Sequence, residues 1–306
     1  MKLTFPICQY IIKSRSRQTP DTPCAHAKEE EKMKRFLACL LCVLLLPSLF
    51  VQAEDPEQEK YTSGDYEYIL LKDGTAEITK YSGAAESLIV PAEMDGHSVT
   101  GIGKRAFSAC PSLTSVTIPD GVTSIGKRAF SVCASLASVT IPDGVTSIGD
   151  GAFYKCHSLT SITIPDSVTS VGNRVFYECD CLQSITIPDG VTGIGDEVFC
   201  HCTSLTSITI PDGVTGIEEL AFSDCTGLTS VTIPDSVISI GDGAFIRCSG
   251  LTGIMIPGSV TSIGKRAFHG CPDLTFTVAR DSYAEQYCKK KGLAYVYADS
   301  LDWLND

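Results

Sequence analysis

Cysteine offers the most reactive chemistry in this chain of 306 residues, which contains 15 of them. Thiolates bind soft metals, and thiol pairs form disulfides. Buried cysteine, in contrast, acts as a small apolar side chain, and a fixed spacing is typical of stacked repeats. We therefore predict reduced thiols in the core of a stack. Eight cysteines recur every 23 residues: Cys110, Cys133, Cys156, Cys179, Cys202, Cys225, Cys248 and Cys271.

Two short clusters add cysteines outside this column. Cys179-Asp180-Cys181 and Cys200-His201-Cys202 lie in adjacent repeats and could bring four sulfurs and one imidazole together. Zinc accepts such ligands in a tetrahedron, and a disulfide between Cys181 and Cys200 is an alternative. One cysteine of each cluster belongs to the 23-residue column, however, which directs its sulfur into the core. We predict no metal site and no cofactor.

A column of aspartates could also bind a cation, because Ca²⁺ prefers carboxylate oxygens. Each of these aspartates follows a proline and precedes Gly or Ser, a pattern typical of a turn in which the side chain bonds its own backbone. The turn is the favoured interpretation. The six residues are Asp120, Asp143, Asp166, Asp189, Asp212 and Asp235.

No set of residues in the sequence predicts an enzyme. The motifs H-E-x-x-H, G-x-S-x-G and a phosphate-binding glycine loop are all missing. Two S-x-x-K matches, 124–127 and 262–265, fall within the general repeat pattern. The four histidines after residue 53 occupy four different repeat positions, so no base recurs beside a nucleophile. A hydrolase is the least favoured class.

The elements that position these residues are repeats. Phenylalanines from Phe107 to Phe268 recur every 23 residues, and a leucine follows each cysteine of the column by three. In one unit, Leu113–Ile118 alternates as a short strand, with Val116 and Ile118 facing inward and Ser115 and Thr117 outward. Pro119 ends the strand, and we expect Gly126 to permit a tight bend. Residues 129–133 are predicted to form a short helical or 3₁₀ stretch.

The unit L-x-x-[VI]-x-I-P-[DG]-x-V-x-x-I-G-x-x-[AV]-F-x-x-C, over residues 88–274, resembles the BspA-like family of leucine-rich repeats. The resemblance implies an α/β repeat fold, a right-handed leucine-rich-repeat solenoid with short parallel strands. It also implies a secreted or cell-surface protein with an adhesive or protein-binding role. Glu218 departs from the motif, because it stands where the other turns have glycine, and a local backbone change is expected there.

Four segments are predicted along the chain. Residues 1–53 are an N-terminal extension with a signal peptide, in which Met33 is the predicted true start. Residues 54–87 form a β-hairpin cap around Asp73-Gly74, and residues 88–279 form the solenoid. Residues 280–306 form a helical cap and tail, in which Ser282 begins the helix and Gly292 ends it. Caps are needed because a solenoid would otherwise expose its core at both ends.

The composition also limits the partners. A net charge of −12 disfavours nucleic acid, whose phosphates require a basic surface. The apolar run 36–51 is short for a bilayer span, and Val51-Gln52-Ala53 resembles a signal-peptidase site. We therefore predict export to the cell surface or the medium, with no stable membrane span in the mature chain.

The sequence favours a non-enzymatic binding protein, whose solenoid surface contacts an extracellular protein or glycan. The candidate contacts are Tyr154 and Tyr177, which occupy the same position in adjacent repeats, with Lys155 and Arg174 as polar support. The alternative is binding of ordered water or carbohydrate by regular columns of outward Ser and Thr hydroxyls. Their β-propensity alone would also explain these columns.

Overall fold

The computed structural model describes residues 58–299, and these residues form a β-solenoid with one α-helix near its C-terminal end. The predicted signal peptide, Met33 and the tail after residue 299 lie outside the described residues. Within the described range, no helix has the length and apolar character that a membrane crossing requires. Most strands of the solenoid contain only two or three residues.

The described chain begins with antiparallel strands. β1 (Lys60–Ser63) pairs with β2 (Tyr66–Leu70), and β2 pairs with β3 (Ala76–Tyr81). The lengthened first repeat then forms β4 (Ser87–Ile89), followed by β5 (Glu93–Met94) and β6 (His97–Ile102). β5 and β6 pair antiparallel, and β3 pairs parallel with β6, so the antiparallel strands join directly to the parallel stack.

A first strand column runs along one side of the solenoid, with one strand per turn. Its neighbours pair parallel in four blocks: β4-β7-β9, β11-β13, β14-β16 and β18-β20-β21. Inward Val116 and Ile118 are buried and outward Thr117 is exposed, as the alternation predicts. After β4, the strands are β7 (Ser115–Thr117), β9 (Ser138–Thr140), β11 (Ser161–Thr163), β13 (Ser184–Thr186), β14 (Ser207–Thr209), β16 (Ser230–Thr232), β18 (Gly253–Ile256), β20 (Thr275–Val278) and β21 (Tyr295–Tyr297).

A second strand column continues from β3 and β6. Its regular pairing stops at β12 and resumes at β15, with a single bridge between Ile194 and Ile217. The interruption lies one turn before Glu218, the residue at which the repeat motif changes. The strands are β8 (Ser124–Ile125), β10 (Ser147–Ile148), β12 (Ser170–Val171), β15 (Gly216–Ile217), β17 (Ser239–Ile240) and β19 (Ser262–Ile263).

The third side of each turn, which we call the turn side, is not helical. The predicted helical or 3₁₀ stretch at residues 129–133 is wrong, because the backbone there alternates between hydrogen-bonded turns and left-handed residues. Amide groups reach forward to the next turn, as in Phe107 N–H to Ala129 O at 2.8 Å. A helix would direct these groups along its own axis, so pairing between turns excludes it.

Two columns of left-handed residues define this turn side. Each column has positive φ in all eight turns, between 53° and 83°, regardless of residue type. The first column is Arg105, Arg128, Gly151, Arg174, Glu197, Leu220, Gly243 and Arg266. The second is Ala109, Val132, Lys155, Glu178, His201, Asp224, Arg247 and Gly270.

The core between the three sides is a set of side-chain ladders. The eight phenylalanine rings stack with neighbouring centroids 5.0–5.7 Å apart. At the ends, Tyr81 packs 5.4 Å from Phe107, and Phe276 meets Phe268 edge-on at 4.9 Å. No 23-residue unit could bury these rings alone, so stacking is the source of the core.

Glycine at position 126 is needed for a close approach of two turns. A Cβ at Gly126 would lie 2.8 Å from the carbonyl oxygen of Ile102 and from the carbonyl carbon of Gly103. Its φ lies outside the left-handed region, so the tight bend expected from the sequence is not the reason for glycine here. The reason is the neighbouring backbone.

The single described helix, α1 (Tyr283–Lys291), follows the last solenoid turn and agrees with its predicted ends. Ser282 accepts a hydrogen bond from the Glu285 N–H at 3.2 Å, and Gly292 ends the helix with φ 66°. Glu285 also accepts hydrogen bonds from the Asp281 N–H and the Tyr297 hydroxyl. One carboxylate therefore connects the start of α1 to β21.

Candidate interaction site on the turn side

The two candidate tyrosines are positioned by the phenylalanine ladder. Each follows a ladder residue, Phe153 or Phe176, and the left-handed turns direct the phenylalanine inward and the tyrosine outward. The rings of Tyr154 and Tyr177 stack 4.9 Å apart at 11°, as the 23-residue spacing predicts. Both tyrosine side chains are half-buried.

Two cations lie over the Tyr154 ring of the pair. The Lys155 ammonium lies 5.5 Å from the Tyr154 ring centroid, and the Arg128 guanidinium lies 5.6 Å from the same centroid. Both distances fall within the range of cation–π attraction. Arg128 was not among the predicted site residues. It precedes Tyr154 by one repeat plus three positions and so belongs to the adjacent turn.

The two predicted polar contacts are paired within the chain. Lys155 lies 3.2 Å from Glu178, and Arg174 forms a hydrogen-bonded ion pair with Glu197. Hydrogen bonding to these carboxylates raises the pKa of Lys155 and of Arg174. Each acid lies 23 residues after its cation, so the repeat spacing carried the signal for both pairs. The site therefore contains tyrosines surrounded by compensated charges.

Histidine extends the site beyond the predicted residues. The His201 ring meets Tyr177 edge-on, with centroids 5.9 Å apart, and its Nε2 lies 4.0 Å from Asp224 Oδ2. Burial raises the pKa of Tyr177 to about 12, so its hydroxyl remains protonated at neutral pH and can donate a hydrogen bond. The arrangement provides an amphipathic ring pair with polar groups at its margin.

Six of the eight column cysteines are buried thiols, as predicted, and the two end members, Cys110 and Cys271, are half-buried thiols. The Cys156 S–H donates to Phe130 O at 3.2 Å, and the Cys179 S–H donates to Phe153 O at 3.3 Å. Burial raises the pKa of Cys156 to about 12, which keeps the thiol protonated and weakly reactive. Seven of the eight column cysteines, all except Cys110, therefore satisfy a phenylalanine carbonyl 26 residues earlier as well as filling space.

The two cysteine clusters do not come together as a ligand set. Cys181 is exposed, Cys200 is buried, and both are free thiols. Burial raises the pKa of Cys200 to about 12. Across residues 58–299, no group of His, Cys, Asp or Glu is arranged to hold a metal ion.

The aspartate column lies at exposed turns. The turn after β7 is closed by the Val122 N–H bonding to Pro119 O at 3.1 Å, and Asp120 is exposed. The predicted bond from the carboxylate to its own backbone is not formed there. The aspartates are therefore solvated turn residues.

The Ser and Thr columns line a groove of about 420 Å³ across β11, β13 and β14. Three outward threonines, Thr163, Thr186 and Thr209, share it with serines two positions before them and with Asp189. The groove spans the interruption between β13 and β14 in the first strand column. Hydroxyls from three turns thus converge on one concave surface.

Comparison with known proteins identifies the repeat class. The BspA-type leucine-rich repeat region matches residues 100–226 and 169–288, in six copies. The chain therefore belongs to the BspA-type leucine-rich repeat family. No curated protein matches the chain.

Solved structures agree with this assignment. A T. pallidum leucine-rich repeat protein is 28% identical, with a TM-score of 0.59 over 78% of this chain and 98% of that one. A leucine-rich repeat protein from Bacteroides ovatus is 20% identical, with a TM-score of 0.50 over 78% and 91% of the two chains, and supports the fold alone.

Proposed function

We propose that this chain is a non-enzymatic extracellular protein that binds a protein partner through the turn side of its solenoid. The observation that carries the proposal is the stacked Tyr154–Tyr177 pair. Membership of the leucine-rich repeat family supports a binding role, since stacked repeats create long continuous surfaces. Tyr154, Lys155, Arg174 and Tyr177 are the proposed contacts.

The ring pair is suited to recognition because it is already ordered. Stacking and the neighbouring cations restrict both rings before a partner arrives, which lowers the entropy lost on binding. Tyrosine also presents an apolar body and a hydroxyl, the combination enriched at binding hot spots. In the equivalent position, the first two complete turns have Ser108 and Ser131, so the pair is a local addition to the scaffold.

The binding test compares a variant with a matched control. Tyr154→Ala/Tyr177→Ala should raise the Kd for a protein partner selected from an array of purified extracellular matrix proteins by at least about tenfold. Tyr154→Phe/Tyr177→Phe retains the stacked rings and should lose only the hydroxyl contribution. Urea unfolding of each variant separates a binding loss from a folding loss. A folded alanine variant that binds like the parent would exclude this site.

Export and capping belong to the same proposal. The apolar run 36–51 and Val51-Gln52-Ala53 support cleavage before Glu54. The packing of Tyr81 on Phe107 supports residues 54–87 as a cap that shields the first turn, with the solenoid at 88–279 and the C-terminal cap from residue 280. N-terminal sequencing of protein recovered from the medium should begin near Glu54; an intact N-terminus would contradict export by this signal.

A second candidate function is carbohydrate binding by the hydroxyl groove. The converging Ser and Thr hydroxyls across three turns favour it, because sugars are bound through closely placed hydrogen-bonding groups. Thr163→Val/Thr186→Val/Thr209→Val keeps the side-chain shape and removes three hydroxyls. This variant should lose neutral-glycan binding in a glycan array, whereas ice-recrystallisation assays test the ordered-water alternative.

A further inference from the structure

A second feature lies at the other end of the solenoid, where α1 packs beside the last full turn. Two adjoining grooves, of about 320 and 240 Å³, share Tyr287 and Lys291. Lys265 and Lys290 line the first groove, and Arg266 lines the second. No carboxylate lines either groove, although the chain as a whole has a net charge of −12. Positive charge is therefore concentrated locally.

The cations of these grooves lack carboxylate partners. Lys265, Arg266, Lys290 and Lys291 are exposed, and none forms an ion pair with a carboxylate within residues 58–299. Asp242 accepts the backbone N–H of Lys265 at 2.7 Å and not its ammonium. In the same last turn of α1 as Lys290 and Lys291, Lys289 differs from them because it pairs with Glu285 at 2.6 Å. Four uncompensated charges therefore surround two aromatic-lined grooves.

We propose that these grooves bind an acidic polysaccharide, whose carboxylate or sulfate groups pair with Lys265, Arg266, Lys290 and Lys291. The partly buried Tyr287 lies between the two grooves, and the exposed Tyr283 lines the first, so both rings can contact sugar faces. Two adjoining grooves fit an extended chain with repeated charges better than one small anion.

The decisive variant has a matched control at the first turn. Lys265 and Arg266 occupy the same two repeat positions as Lys104 and Arg105, and both arginines have left-handed backbones. Glu197 adopts the same backbone at the equivalent position, so glutamate is compatible with it. Lys265→Glu/Arg266→Glu and Lys104→Glu/Arg105→Glu therefore change the net charge equally, but only the first pair lines the two grooves beside α1.

Binding is measured by titration calorimetry with dextran sulfate and polygalacturonate, using uncharged dextran as the negative probe. Lys265→Glu/Arg266→Glu should raise the Kd for the acidic polysaccharides at least about tenfold, and Lys104→Glu/Arg105→Glu less than about threefold. Lys290→Gln/Lys291→Gln provides a second variant on α1 and should weaken binding similarly. Equal losses in the two glutamate pairs would show that general charge is responsible and would overturn the proposal. Binding to phosphatidylglycerol vesicles without binding to either polysaccharide would also overturn it.

Discussion

The strand columns and the turn side of this solenoid are both built by stacking repeats. Their outward side chains vary to different extents from one turn to the next. Along the first strand column, outward positions repeat Ser and Thr through six consecutive turns. On the turn side, the position after each phenylalanine changes from Ser108 to Tyr154 to His269. The turn-side backbone nevertheless has left-handed φ at the same two repeat positions in every turn, although the residue types at these positions differ. Hydrogen bonds between turns therefore fix the backbone, and surface side chains are free to differ.

The largest expected effect comes from the interior that supports the turn side. Phe176→Ala should lower the free energy of unfolding by about 3–5 kcal/mol, because it removes one ring from a fully buried stack. Ile185→Val, on the inward side of a strand, should cost about 0.5–1.5 kcal/mol. Urea unfolding monitored by circular dichroism measures both. Equal losses of unfolding free energy in the two variants would mean that the phenylalanine ladder does not stabilise the turn side.

The next largest loss of stability is expected where the backbones of two turns approach each other closely, at Gly126. Gly126→Ala should cost about 1–3 kcal/mol, since its Cβ would meet the backbone of the preceding turn at 2.8 Å. Gly258→Ala is the control, because a Cβ there has no neighbour within 4 Å and its φ is not left-handed. The control should change the midpoint of thermal unfolding little. A comparable loss in both variants would contradict the close-contact explanation.

The thiol ladder should contribute less than the rings. Cys156→Ala should cost about 1–2 kcal/mol by leaving a small void and the Phe130 carbonyl without its S–H donor. The exposed Cys181→Ala should stay within about 0.5 kcal/mol of the parent. In the native protein, a thiol reagent should label Cys181 quickly and the ladder slowly. Rapid labelling of the whole ladder would contradict its burial.

Substitution by glycine should change the stability in opposite directions on the turn side and in a strand column. Val132 is exposed and has φ 63°, a conformation that is costly for a β-branched residue, so Val132→Gly should stabilise the protein by about 0.5 kcal/mol. Thr117→Gly, on an exposed strand position, should destabilise it by about 0.5–1 kcal/mol. Thermal unfolding gives both signs. A loss at position 132 would mean that the valine side chain contributes more than its backbone strain.

One further expected effect depends on pH and lies outside the repeats. Hydrogen bonding to Lys289 and Tyr297 lowers the pKa of Glu285 to about 2. A lowered pKa stabilises the fold above the unfolded pKa, near 4.5, and this contribution is lost as the pH falls toward 2. The stability difference between the parent and Glu285→Gln should therefore shrink over that interval. If the stability difference between the parent and Glu285→Gln is constant from pH 6 to pH 2, packing and not the ionisation of Glu285 is its cause.

Sequence patterns predicted the features that depend on apolar spacing. The phenylalanine, cysteine and leucine columns, the inward Val116 and the stacking of Tyr154 on Tyr177 all follow from a 23-residue period. The left-handed columns could not be predicted, because Arg128, Val132 and similar residues have no intrinsic preference for positive φ. Their conformation is imposed by amide groups that bond to the next turn.

The candidate site was predictable to the same extent. Repeat spacing places the two tyrosines side by side, but their half-burial depends on Arg128 and on side-chain rotamers that spacing does not determine. Lys155 and Arg174 were selected as cations, yet their partners Glu178 and Glu197 decide how much charge remains. A search for an acidic residue 23 positions after each cation would have found both ion pairs.

The fixed reach of the hydrogen bonds between turns makes the length of this protein adjustable. Because an amide in the stack bonds a carbonyl 22 to 24 residues away, removing 23 consecutive residues brings equivalent partners into contact, as Leu159 would take the place of Leu136. Recombination between similar gene segments can therefore lengthen or shorten the rod without a new folding problem. An event between the tyrosine pair and the cationic grooves would change their separation by one strand spacing, about 4.8 Å.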